Sequence, residues 1–168
     1  MTVRRIGADT DMTVSAIVQR GDTFLCIEET NSNGIVVNVP GGHIEPGETP
    51  EQGIIREVLE ETRWHFIPEG FVGAYLWHDQ QRDHHFLRLI YYGKVTHEAC
   101  ERDLDEGIVS VHWRTRNELA EDAQRLRAPV VLHCIDDYLK GKRAQFAVTE
   151  ATERMDIIDS VLPLVRKL

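Results

Sequence analysis

Residues 40–64 read PGGHIEPGETPEQGIIREVLEETRW, a glycine turn running into a helix with carboxylates at Glu57, Glu60 and Glu61 and a further one ahead of it at Glu48. Thr49 is placed to cap that helix. Pro50 takes the first helical position, where its missing N–H is no loss, and Gln52 takes the third, so the three read as a capping box. Ile54, Ile55, Val58 and Leu59 form an apolar face at helical spacing. At about 100° per residue, Glu57, Glu60 and Glu61 fall within one arc of about 100°. Glu57 and Glu61 stand four apart and repel, while Arg56 faces Glu60 at the same spacing; each such pair is worth about 0.3–0.5 kcal/mol. A solvated surface accounts for glutamates on a helix taken alone. A hard divalent cation also accounts for the repulsion, because carboxylate oxygens are the ligands Mg²⁺ and Mn²⁺ prefer.

Outward from this helix the pattern alternates. Residues 13–18 (TVSAIV) and 24–27 (FLCI) are apolar runs around an Arg20-Gly21-Asp22 turn, as in a hairpin, and residues 35–39 (IVVNV) are a third strand stopped by Pro40-Gly41-Gly42. Residues 71–77 and 86–92 predict a strand pair flanking a polar loop, HDQQRDHH; residues 108–113 predict another strand. Helices are expected from Arg116 and over residues 126–139, where Pro129 either kinks the helix or marks its start. A last amphipathic segment spans residues 151–168, kinked or ended at Pro163, and packs on its own domain or on a second copy. Strands around an early helix, with helices later and no internal repeat or linker, imply an α/β or α+β sandwich in a single domain over residues 1–168.

Composition narrows the partners. The chain has 168 residues, 42% of them hydrophobic, which suffices for one domain with an ordinary core. A net charge of -9 with an isoelectric point near 5.3 disfavours nucleic acid as a partner, since that needs a basic patch. No run of about 18 apolar residues exists, so no membrane span is expected, and no signal peptide is evident at the start. Cys26, Cys100 and Cys134 are an odd count at unrelated spacings, which fits a reducing cytoplasm better than a disulfide framework or a zinc site. An acidic protein repels phosphate-bearing ligands unless a cation intervenes, so the charge and the glutamate helix bear on each other.

Gly42, five residues, Glu48, seven residues, then Arg56-Glu57-Val58-Leu59-Glu60-Glu61 resembles the Nudix box, GX5EX7REUXEEXGU, at every charged position, with Trp64 filling the last apolar place. The one departure is Arg63, where the box has glycine. The stretches FLCIEET, NVPGGHIEPGET, FLRLIYYG and LRAPVV are similar, in order, to the phosphatase NudJ branch of that family, covering residues 13–144. The resemblance implies an α/β/α sandwich with a mixed sheet and a loop-helix-loop box over residues 42–64. It also implies hydrolysis of nucleoside tri- or diphosphates, or of related pyrophosphates such as the pyrimidine pyrophosphate of thiamine synthesis, by water attack at phosphorus.

By position, the resemblance makes Glu57, Glu60 and Glu61 ligands of Mg²⁺, with Mn²⁺ as a substitute and a backbone carbonyl of the Gly41-Gly42 turn beside them. Glu48 orients the site or assists proton removal, Arg56 holds the carboxylates, and the family's general base comes from a later loop, at Asp105 or Glu106. For either of these acids, a plain acidic loop before a strand is the alternative. Trp77 and His78 stack on a heterocycle or pack on their own domain. Arg88 reaches a phosphate or pairs with an acid across the sheet. His43 touches phosphate or satisfies backbone. A monomer and a homodimer are both compatible with this reading. The competing function is a non-catalytic Nudix-fold module that binds nucleotides for regulation; such modules show eroded boxes, whereas every acid and the arginine are present here.

Overall fold

The computed structural model describes residues 10–32, 34–80, 83–98 and 103–145. The first hairpin forms as its apolar runs predict, from β1 (Thr10–Arg20) and β2 (Thr23–Asn31), followed by β3 (Gly34–Asn38). Helix α1 (Pro50–Thr62) starts with both halves of the capping box in place. Gln52 N–H donates to Thr49 Oγ1 at 3.2 Å, and Thr49 N–H to Gln52 Oε1 at 2.8 Å. It ends at Arg63, which adopts the left-handed conformation (φ 62°, ψ 9°) and returns its N–H to Leu59 O at 2.9 Å. The chain therefore turns where the family's glycine would turn it.

Two long antiparallel strands follow, β4 (Trp64–Asp79) and β5 (His84–Glu98), each well beyond the runs read from sequence. Pro68, Gly70 and Gly73 break the strand pattern in the sequence. In the fold they sit at register shifts of β4, the edge strand, where bulges absorb what a central strand would reject. Half of the expected HDQQRDHH loop is strand as well, His78 and Asp79 ending β4 and His84 and His85 beginning β5. Strand β6 (Ile108–Thr115) passes directly into α2 (Arg116–Glu121), capped by Thr115 and Glu118, and a 3-10 turn (Ala123–Arg125) leads to α3 (Val130–Leu139). Pro129 marks the start of α3. Residues 126–127 are extended, with Leu126 bridging Val37 and Arg127 N–H donating to Val37 O at 2.8 Å. The expected segment at 151–168 lies outside the described residues.

The sheet is mixed. β1 runs parallel to β5 and β5 antiparallel to β4, while β2 pairs antiparallel with both β3 and β6; the β1–β2 hairpin joins the two halves. Alternation along β1 sends Val14, Ala16 and Val18 to one face, against Ile54 and Val58 of α1, and Ile17 to the other, against Leu119 of α2 and Val131 and Ile135 of α3. The result is an α+β fold with helices on both faces of a six-stranded mixed sheet, as the sequence predicted. None of the helices among the described residues is long and apolar enough to cross a membrane. The glycine turn and α1 both dock on the β1 side, since Val14 N–H donates to Gly42 O and Ala16 N–H to Pro40 O, each at 2.9 Å.

Candidate active site

Arg56 is the hub of the helix. Its Nε and Nη2 donate to Glu48 at 3.1 and 2.7 Å, its Nη1 to Glu57 Oε1 and Glu60 Oε2 at 2.9 Å each, and its Nη2 also to His43 O at 3.0 Å. These bonds are made to charged groups and lie partly out of water, so they are stronger than surface ion pairs. Glu48 takes a further hydrogen bond from Glu45 N–H at 2.7 Å, and the Arg56 bonds hold its carboxyl below the usual range. Both Glu48 oxygens are thus committed, which makes it an anchor of the arginine.

Glu61 points the other way, into the docked turn, and is 7% exposed. Its Oε2 accepts from Gly41 N–H at 2.7 Å, and no ion pair reaches it among the described residues. Burial pushes its carboxyl well above the usual range against that one hydrogen bond, and the charges of Glu57, Glu29 and Asp105 push it further. Glu57 is raised too, chiefly by burial, with Arg56 opposing. The approach of turn to helix is close: a Cβ on Gly42 would come within 2.5 Å of Glu57 Oε1, and one on Gly41 within 2.1 Å of Val14 O. Gly41, with φ 151° and backbone in the way, therefore requires glycine, while a side chain at Gly42 would displace the Glu57 carboxylate or the turn.

A cavity of about 760 Å³ opens beside these acids. Glu57, Glu61, Glu29, Asp105 and Glu106 line it, as do Gly42 and His43. Trp77, His78 and Arg88 line it as well, so the fold brings together most of the residues picked out in the sequence. Glu60 and Glu48 are held at Arg56 and do not line it. Of the two loop acids, Asp105 acts electrostatically on both Glu57 and Glu61, and its N–H donates to Glu60 O at 3.0 Å. Trp77 stacks on Phe86 (centroids 5.4 Å apart, planes at 24°), and His78 stacks on His85 at 4.3 Å while bonding Asp83 at 3.0 Å. His43 is tied to Asp11 through Nε2 at 3.1 Å. The Gly42 carbonyl already accepts from Val14, which leaves it one lone pair for a ligand role.

Among the described residues no three acidic, imidazole or thiol groups stand together as a ready-made ligand set. Arg56 draws Glu57 and Glu60 toward itself, and Gly41 draws Glu61 into the turn. The donor chemistry nevertheless suits a hard cation: several carboxylates share one wall, and among the described residues no cationic side chain bonds the most buried of them.

Three wall residues escaped the sequence reading. Glu29 stands two residues past the buried run of β2 and accepts from Asn38 Nδ2 at 3.0 Å, Thr13 lies in β1, and Arg127 precedes α3. The only signal for Glu29 was its place beside Glu28 in a strand otherwise apolar.

The NUDIX domain family model matches residues 9–134, three quarters of the chain. Phosphatase NudJ of Escherichia coli (strain K12) is 30% identical over 132 residues, covering 79% of this chain and 85% of that protein. Among solved structures, a NUDIX hydrolase from Nitrosomonas europaea shares 36% identity with a TM-score of 0.80, covering 84% of this chain and 97% of the other. The MutT protein from Methanosarcina mazei Go1 shares the fold at 20% identity and a TM-score of 0.65, covering 80% and 97%. The site and the fold together define a hydrolase of phosphoanhydride bonds. The chain belongs to the Nudix family, and it is a Nudix hydrolase with phosphatase NudJ among its relatives.

Proposed function

We propose that this Nudix hydrolase, a single domain over residues 1–168, depends on Mg²⁺, with Mn²⁺ as a substitute, and acts in the manner of phosphatase NudJ. Its substrates are nucleoside tri- and diphosphates or related organic pyrophosphates, the thiamine pyrimidine pyrophosphate among them, attacked by water at phosphorus. The observation that carries the reading is Glu61, a buried carboxylate crowded by Glu57, Glu29 and Asp105, with Arg88 as an electrostatic neighbour but no cationic side chain bonded to it among the described residues. Glu57, Glu60 and Glu61 would hold the metal beside the Gly42 turn. When bound, it supplies Lewis acidity toward phosphoryl oxygens and eases deprotonation of water.

The remaining roles belong to the chain. Arg56 fixes the directions of Glu48, Glu57 and Glu60. Asp105 or Glu106, both on the cavity wall, accepts the proton of the attacking water. The stacked Trp77–Phe86 pair offers an apolar face to the organic end of the substrate, and His43 and His78 flank it. A stacking face discriminates weakly between bases, because rejection needs polar groups that the wrong substrate leaves unpaired. The described cysteines, Cys26 and Cys134, are free and buried, which supports a cytoplasmic setting.

A panel of nucleotides and pyrophosphates, assayed with and without Mg²⁺ while phosphate, pyrophosphate and nucleoside are read separately, tests the proposal. Inorganic phosphate is expected as the main product from both tri- and diphosphates. The spread in kcat/KM between purine bases should stay under about tenfold, or about 1.4 kcal/mol. Stoichiometric pyrophosphate release, or one strongly preferred base, contradicts the NudJ-like assignment.

A further inference from the structure

Arg88 of β5 lies directly opposite Thr13 of β1 in the parallel ladder, and ladder partners send their side chains to the same face. Both line the cavity. Thr13 is 5% exposed, and its hydroxyl has no hydrogen-bond partner among the described residues. Arg88 Nη1 is buried and equally unpartnered among them. Buried polar groups are nearly always matched, because an unmatched one forfeits its hydration for nothing. Two orphans side by side on one cavity wall therefore mark the place of an absent acceptor.

A third donor joins them. The backbone bond from Arg127 to Val37 O fixes the extended stretch before α3, and it brings the Arg127 guanidinium to the same cavity. Glu29 stands 3.6 Å from Arg127, at the edge of the carboxylate wall. Arg127 and Arg88 repel each other: burial chiefly, and then the Arg127 charge, lower the Arg88 pKa, while Glu29 and Glu61 oppose from the carboxylate wall. Two like charges and a bare hydroxyl at one wall match a tetrahedral oxyanion, whose several oxygens accept from planar guanidinium forks and a hydroxyl at once.

We propose that Thr13, Arg88 and Arg127 form a phosphoryl-binding subsite that holds the phosphoryl group next to the one attacked, and so sets which phosphorus meets the water. This rests on the hydrolase reading of the same cavity. It makes at least two adjacent phosphoryl groups the element recognised in a substrate, one at the carboxylate wall and one at the arginines. The subsite needs no metal of its own.

The test uses the full chain stripped of metal and kept in EDTA at constant ionic strength. Inorganic phosphate and pyrophosphate are titrated into wild type, Thr13→Val, Arg88→Met and Arg127→Met by calorimetry. Wild type binds both anions. Arg88→Met weakens binding by at least about tenfold, the scale of a lost charged hydrogen-bond pair, and Arg127→Met does so by a similar factor. Thr13→Val weakens it by about threefold to tenfold, as for one neutral donor. The free Thr13→Val protein melts at or above the wild-type temperature, because it loses an unmatched buried hydroxyl. A merely structural role predicts the reverse, with lower melting temperatures and unchanged affinities, and that result overturns the proposal. If Arg88→Met does not fold, Thr13→Val and Arg88→Lys decide, the lysine variant retaining part of the affinity through charge alone. Hydrolysis is measured on the same samples after Mg²⁺ is restored. Turnover with affinities unchanged in every variant removes the subsite and leaves the hydrolase. Anion binding lost in the variants, without turnover in wild type, keeps the subsite and removes the substrate assignment.

Discussion

At Glu61 burial and charge oppose each other, and the direction of the imbalance is measurable. Its folded-state carboxyl lies well above the usual range of about 4.3. Between those two values the folded chain holds a proton that the unfolded chain has lost, so stability falls as pH rises through that window. In EDTA, Glu61→Gln should therefore be more stable than wild type at pH 7–8. The gap should close as pH falls below about 4.3, as read by thermal melts across pH. Mg²⁺ should reverse the order by binding the folded wild type more tightly than the variant. With saturating Mg²⁺, Glu61→Gln and Glu57→Gln should each lower kcat by about 100-fold or more, the scale of an electrostatic group acting in the transition state. Arg63 is the other informative residue. It occupies the left-handed position at the end of α1, where a side chain costs roughly 1 kcal/mol relative to glycine. Arg63→Gly should raise stability by up to about that amount and change kcat less than about tenfold. A large loss of kcat with folding intact would place Arg63 in the active site.

Between the glycine turn and α1 the packing leaves no slack. A Cβ at Gly42 would overlap the Glu57 carboxylate, so Gly42→Ala must move either the turn or that side chain. Weakened Mg²⁺ affinity and at least about a tenfold loss of kcat at fixed Mg²⁺ are expected, with the far-ultraviolet circular dichroism of wild type. Thr49→Ala touches the opposite end of the same helix. Losing the cap should cost about 1 kcal/mol in urea unfolding with kcat little changed. Together the two variants separate the helix as scaffold from the helix as ligand carrier. The elements that sequence showed clearly are those built by local rules. The capping box, the apolar stripe of Ile54 and Val58 and the β1–β2 hairpin each follow from residues a few positions apart. The extents of β4 and β5 were hidden because Pro68, Gly70 and Gly73 read as breakers, and only an edge strand with bulges accommodates them.

Across the whole molecule, the glutamates of α1 were legible from their spacing, although the fold turns Glu57 and Glu61 to the cavity and holds Glu60 at Arg56. The rest of the wall was not. Thr13 of β1, Glu29 of β2 and Arg127 of the loop before α3 are far apart in the chain, and they meet only when the strands and that loop assemble. Nothing in Arg127's neighbourhood along the chain announces that it will stand near Arg88. The sequence also left open whether Trp77 packs or binds; the fold half-buries it against Phe86 and keeps it on the cavity wall. The role proposed for the carboxylate wall is to hold a divalent cation for phosphoanhydride hydrolysis. Its most direct test is a Mg²⁺ titration of EDTA-stripped wild type and Glu61→Gln, following phosphate release from a nucleoside triphosphate. No turnover without metal, saturable activation of wild type, and a plateau about 100-fold lower or more in Glu61→Gln are expected. Full turnover in excess EDTA, or wild-type rates in Glu61→Gln, would contradict that role.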